Sequence, residues 1–350
     1  MPFPIDASPT TTLPVLPISL ALAALLGFAA HRASLCTVKA VEEILTTRRA
    51  LMLWSFAKTS LWTMAVTALL LWLLPETRAH FAGWNASLYG LAGGVIFGIG
   101  AVINGGCAFS TLTRLGDGRL AMLLTLAGFG LGVAVHDILL AQLQVPAAAP
   151  GDALLAHAAL WPLVLCAALL SWGAWEVWRL WRTRPVGLGP LALILAERYR
   201  LSTAALLMGL SNALLYAFHG NWAYTSTIDR GVREVLGAEV SPDPVPWLLF
   251  LALLAGMVCS AWQRRRFRLQ WRPELNCIAY LLGGTFMGFG SALVPGGNDV
   301  LLLHGFPSLS PHALPAYVAM LFGITATLGL MRLAGIGIET VDCSGDICAR

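Results

Sequence analysis

Cys107 stands where a thiol could meet an anion. Gly105 and Gly106 precede it, and Ser110 follows three residues later. A glycine pair can end one half-helix, so that Cys107 begins the next, where free backbone N–H groups and the helix dipole favour negative charge. A cysteine at a helix N-terminus is unusually reactive. Ser110 would supply a hydroxyl donor, and Arg114, two helical turns beyond Cys107, could attract an anion from the same face. The alternative is a packing role for the glycine pair and the cysteine.

A second cysteine, Cys36, is followed by Thr37 and, at helical spacing, by Lys39. Residues three apart share a helix face, so Lys39 could hold an anion beside Cys36 or favour its thiolate form. A single charge near the end of an apolar segment could equally be a cytoplasmic anchor. Both interpretations are compatible with the sequence.

Lys58 is the only other lysine, and it lies within an apolar stretch. A charge at that depth of a membrane costs about 2.5 kcal/mol or more and marks a candidate functional position. We predict that its partner is Glu42, Glu43 or the permeating anion.

Gly296 and Gly297 repeat the arrangement, with Asn298 in the place of Cys107 and Asp299 after it. An amide can donate hydrogen bonds to an anion but cannot do thiol chemistry. Asp299 would repel an anion, so we expect it to cap the helix and face away from the path.

Two further cysteines, Cys343 and Cys348, lie five residues apart in the tail. On the cytoplasmic side of a membrane they should be reduced, in a tail that is either flexible and inert or able to hand on sulfur. Two ligands do not make a metal site. The spacing of all seven cysteines matches no zinc or haem pattern, so we predict neither a metal nor a cofactor.

The composition decides which elements must position these residues. Only 11% of the 350 residues are charged, 57% are apolar, and the mean hydropathy is +0.73. So few charges cannot cover a soluble surface, because soluble domains carry about 25%. A soluble enzyme, a disordered chain and a nucleic-acid binder are therefore excluded, and an all-α polytopic protein of the lipid bilayer remains.

About 20 apolar residues are needed to cross a bilayer as a helix. Nine segments meet that requirement: 14–31, 50–74, 88–104, 119–141, 157–178, 201–218, 245–262, 276–294 and 312–334. The glycine pairs at 105–106 and 296–297 predict helix breaks at membrane depth. We therefore predict one transmembrane domain over residues 1–350, with about nine spans and broken or re-entrant helices.

The chain also repeats itself. The glycine-rich run at 93–107 matches the run at 283–298, and a weaker match joins 27–37 to 209–225. Matching spans are five apart, an odd number, so the two copies should enter the membrane in opposite directions, as in many transporters. The predicted parts are an inverted repeat over about 15–141, a linking span at 157–178, a second repeat over 201–334 and a cytoplasmic tail at 335–350.

Basic residues set the orientation. They cluster at 48–49, 179–200 and 264–272, whereas the loop at 142–156 has none. With nine spans, all three clusters fall on one side, which the positive-inside rule assigns to the cytoplasm. We therefore expect a periplasmic N-terminus and a cytoplasmic C-terminus.

At these residues the chain resembles the YeeE/YedE family of sulfur-compound transporters. The resemblance spans about 15–335 and is carried by the stretch 31–37 with Cys36 and Thr37, by Gly105-Gly106-Cys107, and by 295–299. It implies a permease of the bacterial inner membrane, not an enzyme, that imports thiosulfate or a related sulfur-containing anion. It also implies that pore cysteines, here Cys36 and Cys107, pass the anion along by weak S–H hydrogen bonds, and that a small cytoplasmic sulfur-carrier protein is a partner.

Two departures from the family pattern bear on the substrate. A third pore cysteine is absent, with Asn298 in its place, and residues 108–111 replace a Gly-His-Gly continuation. They indicate a subgroup with another sulfur substrate, such as sulfite or a sulfane-sulfur carrier. The expected path residues are Cys36, Thr37, Gly105, Gly106, Cys107, Ser110, Gly296, Gly297 and Asn298, with anion attraction by Lys39, Lys58 or Arg114.

Two other classes of function stay open. The first is a membrane redox or sulfurtransferase component that forms cysteine persulfides or disulfides and depends on Cys343 and Cys348. The second is a permease for an unrelated anion or metal species, in which the cysteines are structural.

Overall fold

The computed structural model describes a chain that is helical almost throughout. The described residues are 15–74, 83–143, 149–151, 153–156, 160–183, 196, 199–238, 242–270, 276–338, 340–344 and 346–349. Parts of the basic stretches 179–200 and 264–272 lie outside this set. Within it, the all-α prediction is confirmed, with only four short strands paired in two small sheets.

The elements fall into two groups joined by one long helix. The first group is α1 (Leu16–Ala33), α2 (Thr37–Thr47), α3 (Leu51–Leu73), β1 (Gly83–Trp84), α4 (Leu88–Ile103), α5 (Ala108–Gly116), α6 (Met122–Leu143) and β2 (Pro150–Gly151). A 3-10 turn (Leu154–Ala156) and α7 (Leu160–Arg182) follow. The second group is α8 (Leu201–His219), α9 (Tyr224–Val235), α10 (Val245–Gln263), α11 (Cys277–Leu293), α12 (Asn298–Gly305, π-helical from Leu301), α13 (Ala313–Leu333), β3 (Asp342–Ser344) and β4 (Ile347–Ala349).

Each of the nine predicted spans corresponds to one long helix, with ends that differ by a few residues. In the described residues, eight helical segments are long and apolar enough to cross a membrane, and the pair α11 and α12, bent by 49°, gives a ninth. A polytopic membrane fold is thus confirmed. The sequence missed two of the four breaks, at 34–36 and 220–223, because neither contains a glycine pair.

The breaks predicted at the glycine pairs are confirmed. Gly105 has φ +68° and Gly296 has φ +145°, backbone conformations that a side chain makes costly. In the first break, Asn104 donates to Gly106 O and to Thr111 Oγ1, at 2.8 and 2.9 Å, and accepts from Thr125 at 2.7 Å. The break is therefore held by a buried polar network as well as by glycine.

The same order of elements occurs twice: a broken helix, an unbroken helix, a second broken helix and a second unbroken helix. The packing is reciprocal. Helix α1 packs against α10, and its counterpart α8 packs against α3, the counterpart of α10. In the same way, α4 packs against α13, and its counterpart α11 packs against α6. Corresponding helices also pack on each other, in the pairs α1 with α8 and α4 with α11. This reciprocity is what a two-fold relation between repeats would produce, and their opposite insertion in the membrane stays a prediction.

Glycines let several of these helices touch backbone to backbone. A Cβ at Gly288 of α11 would lie 2.0 Å from the carbonyl oxygen of Phe129 in α6, and one at Gly256 of α10 would lie 1.9 Å from that of Ala24 in α1. Such close approach is typical of membrane helices, which gain their stability from packing.

The tail differs from the prediction of reduced thiols. β3 and β4 form a hairpin in which Cys343 lies opposite Cys348, and Cys343 is disulfide-bonded and fully buried. The hairpin is also anchored on the helices: Leu201 N donates to Asp346 O at 2.7 Å, and Arg49 donates to Cys343 O at 3.2 Å. It therefore covers the start of α8, whose first N–H groups need acceptors.

Candidate functional site

The starts of the four short helices meet in the middle of the chain's core. Thr37 N, at the start of α2, donates to Cys107 Sγ, just before α5, at 3.2 Å. Asn298 Nδ2, at the start of α12, donates to Thr37 Oγ1 at 3.1 Å. Thr225 Oγ1, at the start of α9, donates to Asp299 Oδ1 at 2.7 Å. Positive ends of helix dipoles from both groups of elements are thereby collected at one place.

Cys36 and Cys107 lie together at this centre. Their side chains are 1% and 0% exposed, so neither faces lipid. The two thiols interact with each other, and Cys36 also interacts with the hydroxyl of Ser110. Both cysteines precede the first residue of a helix, with extended backbone. The sequence-predicted pair is thus brought together by the fold, although nothing in the spacing of two residues 71 positions apart required it.

Asn298 is buried at the centre but does not occupy the position equivalent to Cys107. Helix α5 begins at Ala108, directly after Cys107, and helix α12 begins at Asn298, directly after Gly297. The residue equivalent to Cys107 is therefore Gly297, and the alignment of Asn298 with Cys107 from the sequence pattern is wrong by one residue. Asn298 is 1% exposed, and its Oδ1 has no hydrogen-bond partner in the described residues.

Asp299 caps a second helix besides its own. Its carboxylate accepts from Thr225 N at 3.3 Å and from Thr225 Oγ1 at 2.7 Å at the start of α9, and the backbone N–H groups of Asp299 and Val300 at the start of α12 also face it. It is 1% exposed. The start of α9 is therefore already matched with a carboxylate, whereas the start of α2 is matched with thiols: Thr37 N donates to Cys107 Sγ, and the Lys39 backbone N–H faces the Cys36 thiol.

The remaining path candidates surround the two thiols. Ser110 Oγ donates to Cys107 O at 3.2 Å, and a Cβ at Gly106 would lie 2.0 Å from that hydroxyl. At Gly297, a Cβ would lie 2.6 Å from Asp299 Oδ1. The glycines at 106 and 297 therefore let the backbone of each break come close to a polar side chain, that of Ser110 in the first and that of Asp299 in the second. Gly105 and Gly296 supply the turns described above.

The three basic candidates have different surroundings. Arg114 donates to Asn104 O at 3.2 Å and also to Gly105 O, so it caps the carbonyl end of α4 next to the break. Lys39 is partly exposed on α2. Neither geometry tests the predicted attraction of an anion.

Lys58 has a partner that the sequence did not suggest. Its Nζ lies 2.8 Å from Glu176 Oε1 in α7 and 2.7 Å from Ser202 Oγ in α8. Glu43 instead accepts from the first N–H groups of α3, at Leu51 and Met52. The predicted pairing with Glu43 is therefore wrong, because this carboxylate, eight residues before Leu51, accepts the free N–H groups at the start of α3.

Replacing Lys58 by methionine should destabilise the protein through Glu176, not through the path. Breaking a buried pair by removing one partner typically costs about 3–5 kcal/mol, and the 2.6 Å contact of Glu176 with Arg179 should keep the loss near the lower end. Thermal unfolding in detergent should show the loss, and the double replacement of Lys58 by Met and Glu176 by Leu should recover much of it. A double variant less stable than the single one would contradict this.

Three residues at the centre were missed as site residues. Tyr224 interacts with Asp299 and Cys107, and Tyr317 of α13 interacts with Thr37 and both thiols. Thr225 was noted only as part of the weak repeat with Cys36-Thr37. That internal match was the one signal that could have placed Tyr224 and Thr225 here, whereas Tyr317 lies in an apolar span with no local mark.

The centre can surround a small anion but offers no metal set. In the part of the chain that the structure describes, no group of three or more His, Cys, Asp or Glu side chains could hold a metal ion. The donors are backbone N–H groups at helix starts, two thiols, hydroxyls and one amide. Such neutral donors bind an anion without the strong trap that a buried cation would create.

Interrupted helices that meet at a buried polar centre, within a bundle of long apolar spans, define a multi-pass membrane protein of the transporter class. Residues 32–326 match the sequence model of the family described as Sulphur transport, and the chain belongs to that family. It is 26% identical over 308 residues to the thiosulfate transporter TsuA of Escherichia coli (strain K12), over 80% of this chain and 85% of that protein. The YeeE/YedE resemblance is confirmed, and the protein is a transporter of sulfur compounds.

Proposed function

We propose that the protein imports thiosulfate, or a closely related sulfur-containing anion, along a path that passes Cys36 and Cys107. The observation that supports this most directly is the contact of two buried thiols at the starts of α2 and α5. The relative that is 26% identical is a thiosulfate transporter, which supports the substrate class. The two thiols offer a physical reason why a sulfur-containing anion would be preferred.

The physical argument rests on desolvation. An anion that enters a dehydrated region loses favourable hydration and needs replacement donors. The starts of α2 and α5 supply partial positive charge, and a protonated thiol is a weak, soft donor suited to a sulfur atom. Thiolates would repel a dianion, so we infer that Cys36 and Cys107 are neutral while substrate passes. Asp299 already matches the start of α9, so the anion is expected on the α2 and α5 side.

The setting in the cell follows from the same proposal. We infer an inner-membrane location in a bacterium, with the N-terminus in the periplasm, the C-terminus in the cytoplasm and the two repeats inserted in opposite directions. A small sulfur-carrier protein at the cytoplasmic face would receive the imported sulfur. Accessibility of single engineered cysteines at 87 and 335 to an impermeant reagent would test the orientation.

Radiolabelled uptake tests the substrate. Purified protein in liposomes should take up ³⁵S-thiosulfate with time, and unlabelled thiosulfate and sulfite should compete more strongly than sulfate. Protein-free vesicles are the control for leakage. Equal competition by sulfate, or no uptake above the control, would contradict the proposed substrate class.

The disulfide at Cys343 favours one alternative, a membrane component that exchanges disulfides or persulfides in its tail. Replacing Cys343 and Cys348 together by serine separates the two functions. For a transporter, uptake should stay within about twofold of the parent, because Leu201 N and the Arg49 guanidinium still donate to carbonyl oxygens of the hairpin and anchor it. These replacements are a cleaner test than deletion of residues 340–350, which would also uncover α8. Loss of uptake with normal membrane insertion would favour the alternative.

A further inference from the structure

Asp299 is a buried carboxylate without a cation beside it. It is 1% exposed, and in the described part of the chain no ion pair joins it to a Lys, Arg or His side chain. Two other acidic groups within the helices do have such partners: Glu176 pairs with Lys58, and Asp137 pairs with Arg233. Burial of a lone ionised carboxylate is expensive, and such groups usually change their protonation state.

The hydrogen bonds of Asp299 oppose that cost. Thr225 donates from its backbone N–H and its hydroxyl, and the backbone N–H groups at the start of α12 also face the carboxylate. Donors to the charged form favour ionisation, whereas burial favours the neutral acid. The hydrogen bonds and the burial thus act in opposite directions on the protonation of Asp299. Such a balance is needed in a side chain that gains and loses a proton in each transport cycle.

The titratable groups around Asp299 lie on the elements that meet at the centre. Tyr224 of α9 interacts electrostatically with Asp299. The other titratable groups around the centre are Cys107 before α5, Cys36 before α2 and Tyr317 of α13, while His304, further along α12, donates from Nε2 to Trp222 O at 2.7 Å. None of these groups provides a positive charge that would hold Asp299 ionised.

Asp299 is joined to the anion path by a short series of contacts. Its neighbour Asn298 donates to Thr37 Oγ1, and Thr37 N donates to Cys107 Sγ. A dianion beside Cys107 would therefore raise the electrostatic cost of an ionised Asp299. Protonation removes that repulsion, and departure of the anion restores the ionised state.

We propose that Asp299 is the proton-binding site that couples entry of the sulfur anion to entry of one proton. The proton comes from water on the outer side, forms the neutral carboxylic acid while the anion is at the centre, and returns to water on the cytoplasmic side. An inside-negative potential of 100 mV opposes each negative charge that enters, and one co-transported proton cancels one of the two charges of the dianion. The inference rests on the proposed function and specifies its driving force.

Uptake and exchange measured together test the proposal. The membrane potential is clamped at zero by potassium and valinomycin. Protein in liposomes should then accumulate ³⁵S-thiosulfate roughly tenfold for a pH gradient of one unit. With one proton carried per anion, the inside-to-outside ratio of thiosulfate comes to equal the outside-to-inside ratio of protons. The variant Asp299→Asn should lose this accumulation and its pH dependence but keep counterflow of thiosulfate against thiosulfate. The matched control Asp137→Asn, in an ion pair away from the centre, should accumulate like the parent.

The outcomes separate this inference from the proposed function. If the parent protein shows no thiosulfate counterflow, the proposed function fails. If counterflow is present but a pH gradient drives no accumulation, or if Asp299→Asn accumulates as the parent does, the coupling role of Asp299 is wrong. Should Asp299→Asn not reach the membrane, Thr225→Val decides: loss of its hydroxyl favours the protonated acid, so half-maximal uptake should move to higher pH, and an unmoved profile would overturn the proposal.

Discussion

Thiosulfate uptake should fall to the level of protein-free vesicles when Cys107 is replaced by alanine, with the protein still inserted in the membrane. The change removes the side chain that accepts from Thr37 N at the centre. It also removes one of the two thiols that face each other there. An anion would then meet a methyl group where the path requires a soft donor, so the effect should be on transport far more than on expression.

Serine at the same position separates sulfur chemistry from packing. The hydroxyl of Cys107→Ser can still accept from Thr37 N, so this buried N–H group keeps an acceptor. Loss of that acceptor would cost about 1–3 kcal/mol. If the thiol itself matters, uptake should still fall steeply while thermal stability stays near that of the parent. Cys259→Ala, at an exposed position of α10, is the matched control and should transport normally. Sulfur-dependent growth of bacteria that carry only Cys107→Ala would refute the role.

The spans could be predicted because membrane insertion depends on local composition. Runs of about 20 apolar residues and scarce charges locate α3 and α10 to within a residue or two, without knowledge of any contact. The breaks at Gly105 and Gly296 could be predicted because a positive φ needs glycine locally. The break before Cys36 could not, because Ser34 adopts its φ of +52° as the last turn of α1 closes on His31 O.

The partners of buried charges could not be predicted, because they are set by which helices pack together. Lys58 finds Glu176 across 118 residues, and Asp299 finds Thr225 across 74. The nearest acid in sequence, Glu43, is used by the start of α3 instead. The tail shows the same limit: the sequence indicated cytoplasmic thiols, but the hairpin register and the packing on α8 bring Cys343 into a disulfide.

The second large effect concerns charge at the centre. Asn298→Asp keeps the size of the side chain and adds a negative charge 3.1 Å from Thr37 Oγ1, next to Asp299. Two adjacent buried carboxylates and a dianion cannot share one small volume, since like charges at close range in a medium of low polarity repel strongly. Uptake at neutral pH should therefore be lost by at least about a hundredfold, for which about 2.7 kcal/mol of repulsion suffices.

Asn298→Ser is the matched control, because a hydroxyl is neutral and can still donate to Thr37 or to an anion. It should retain uptake within about tenfold of the parent. Lowering the external pH should partly restore Asn298→Asp, because protonation removes the added charge, whereas Asn298→Ser should respond to pH as the parent does. Full uptake by Asn298→Asp at neutral pH would show that the anion does not pass Asn298, and would move the path away from the contact between α2 and α12.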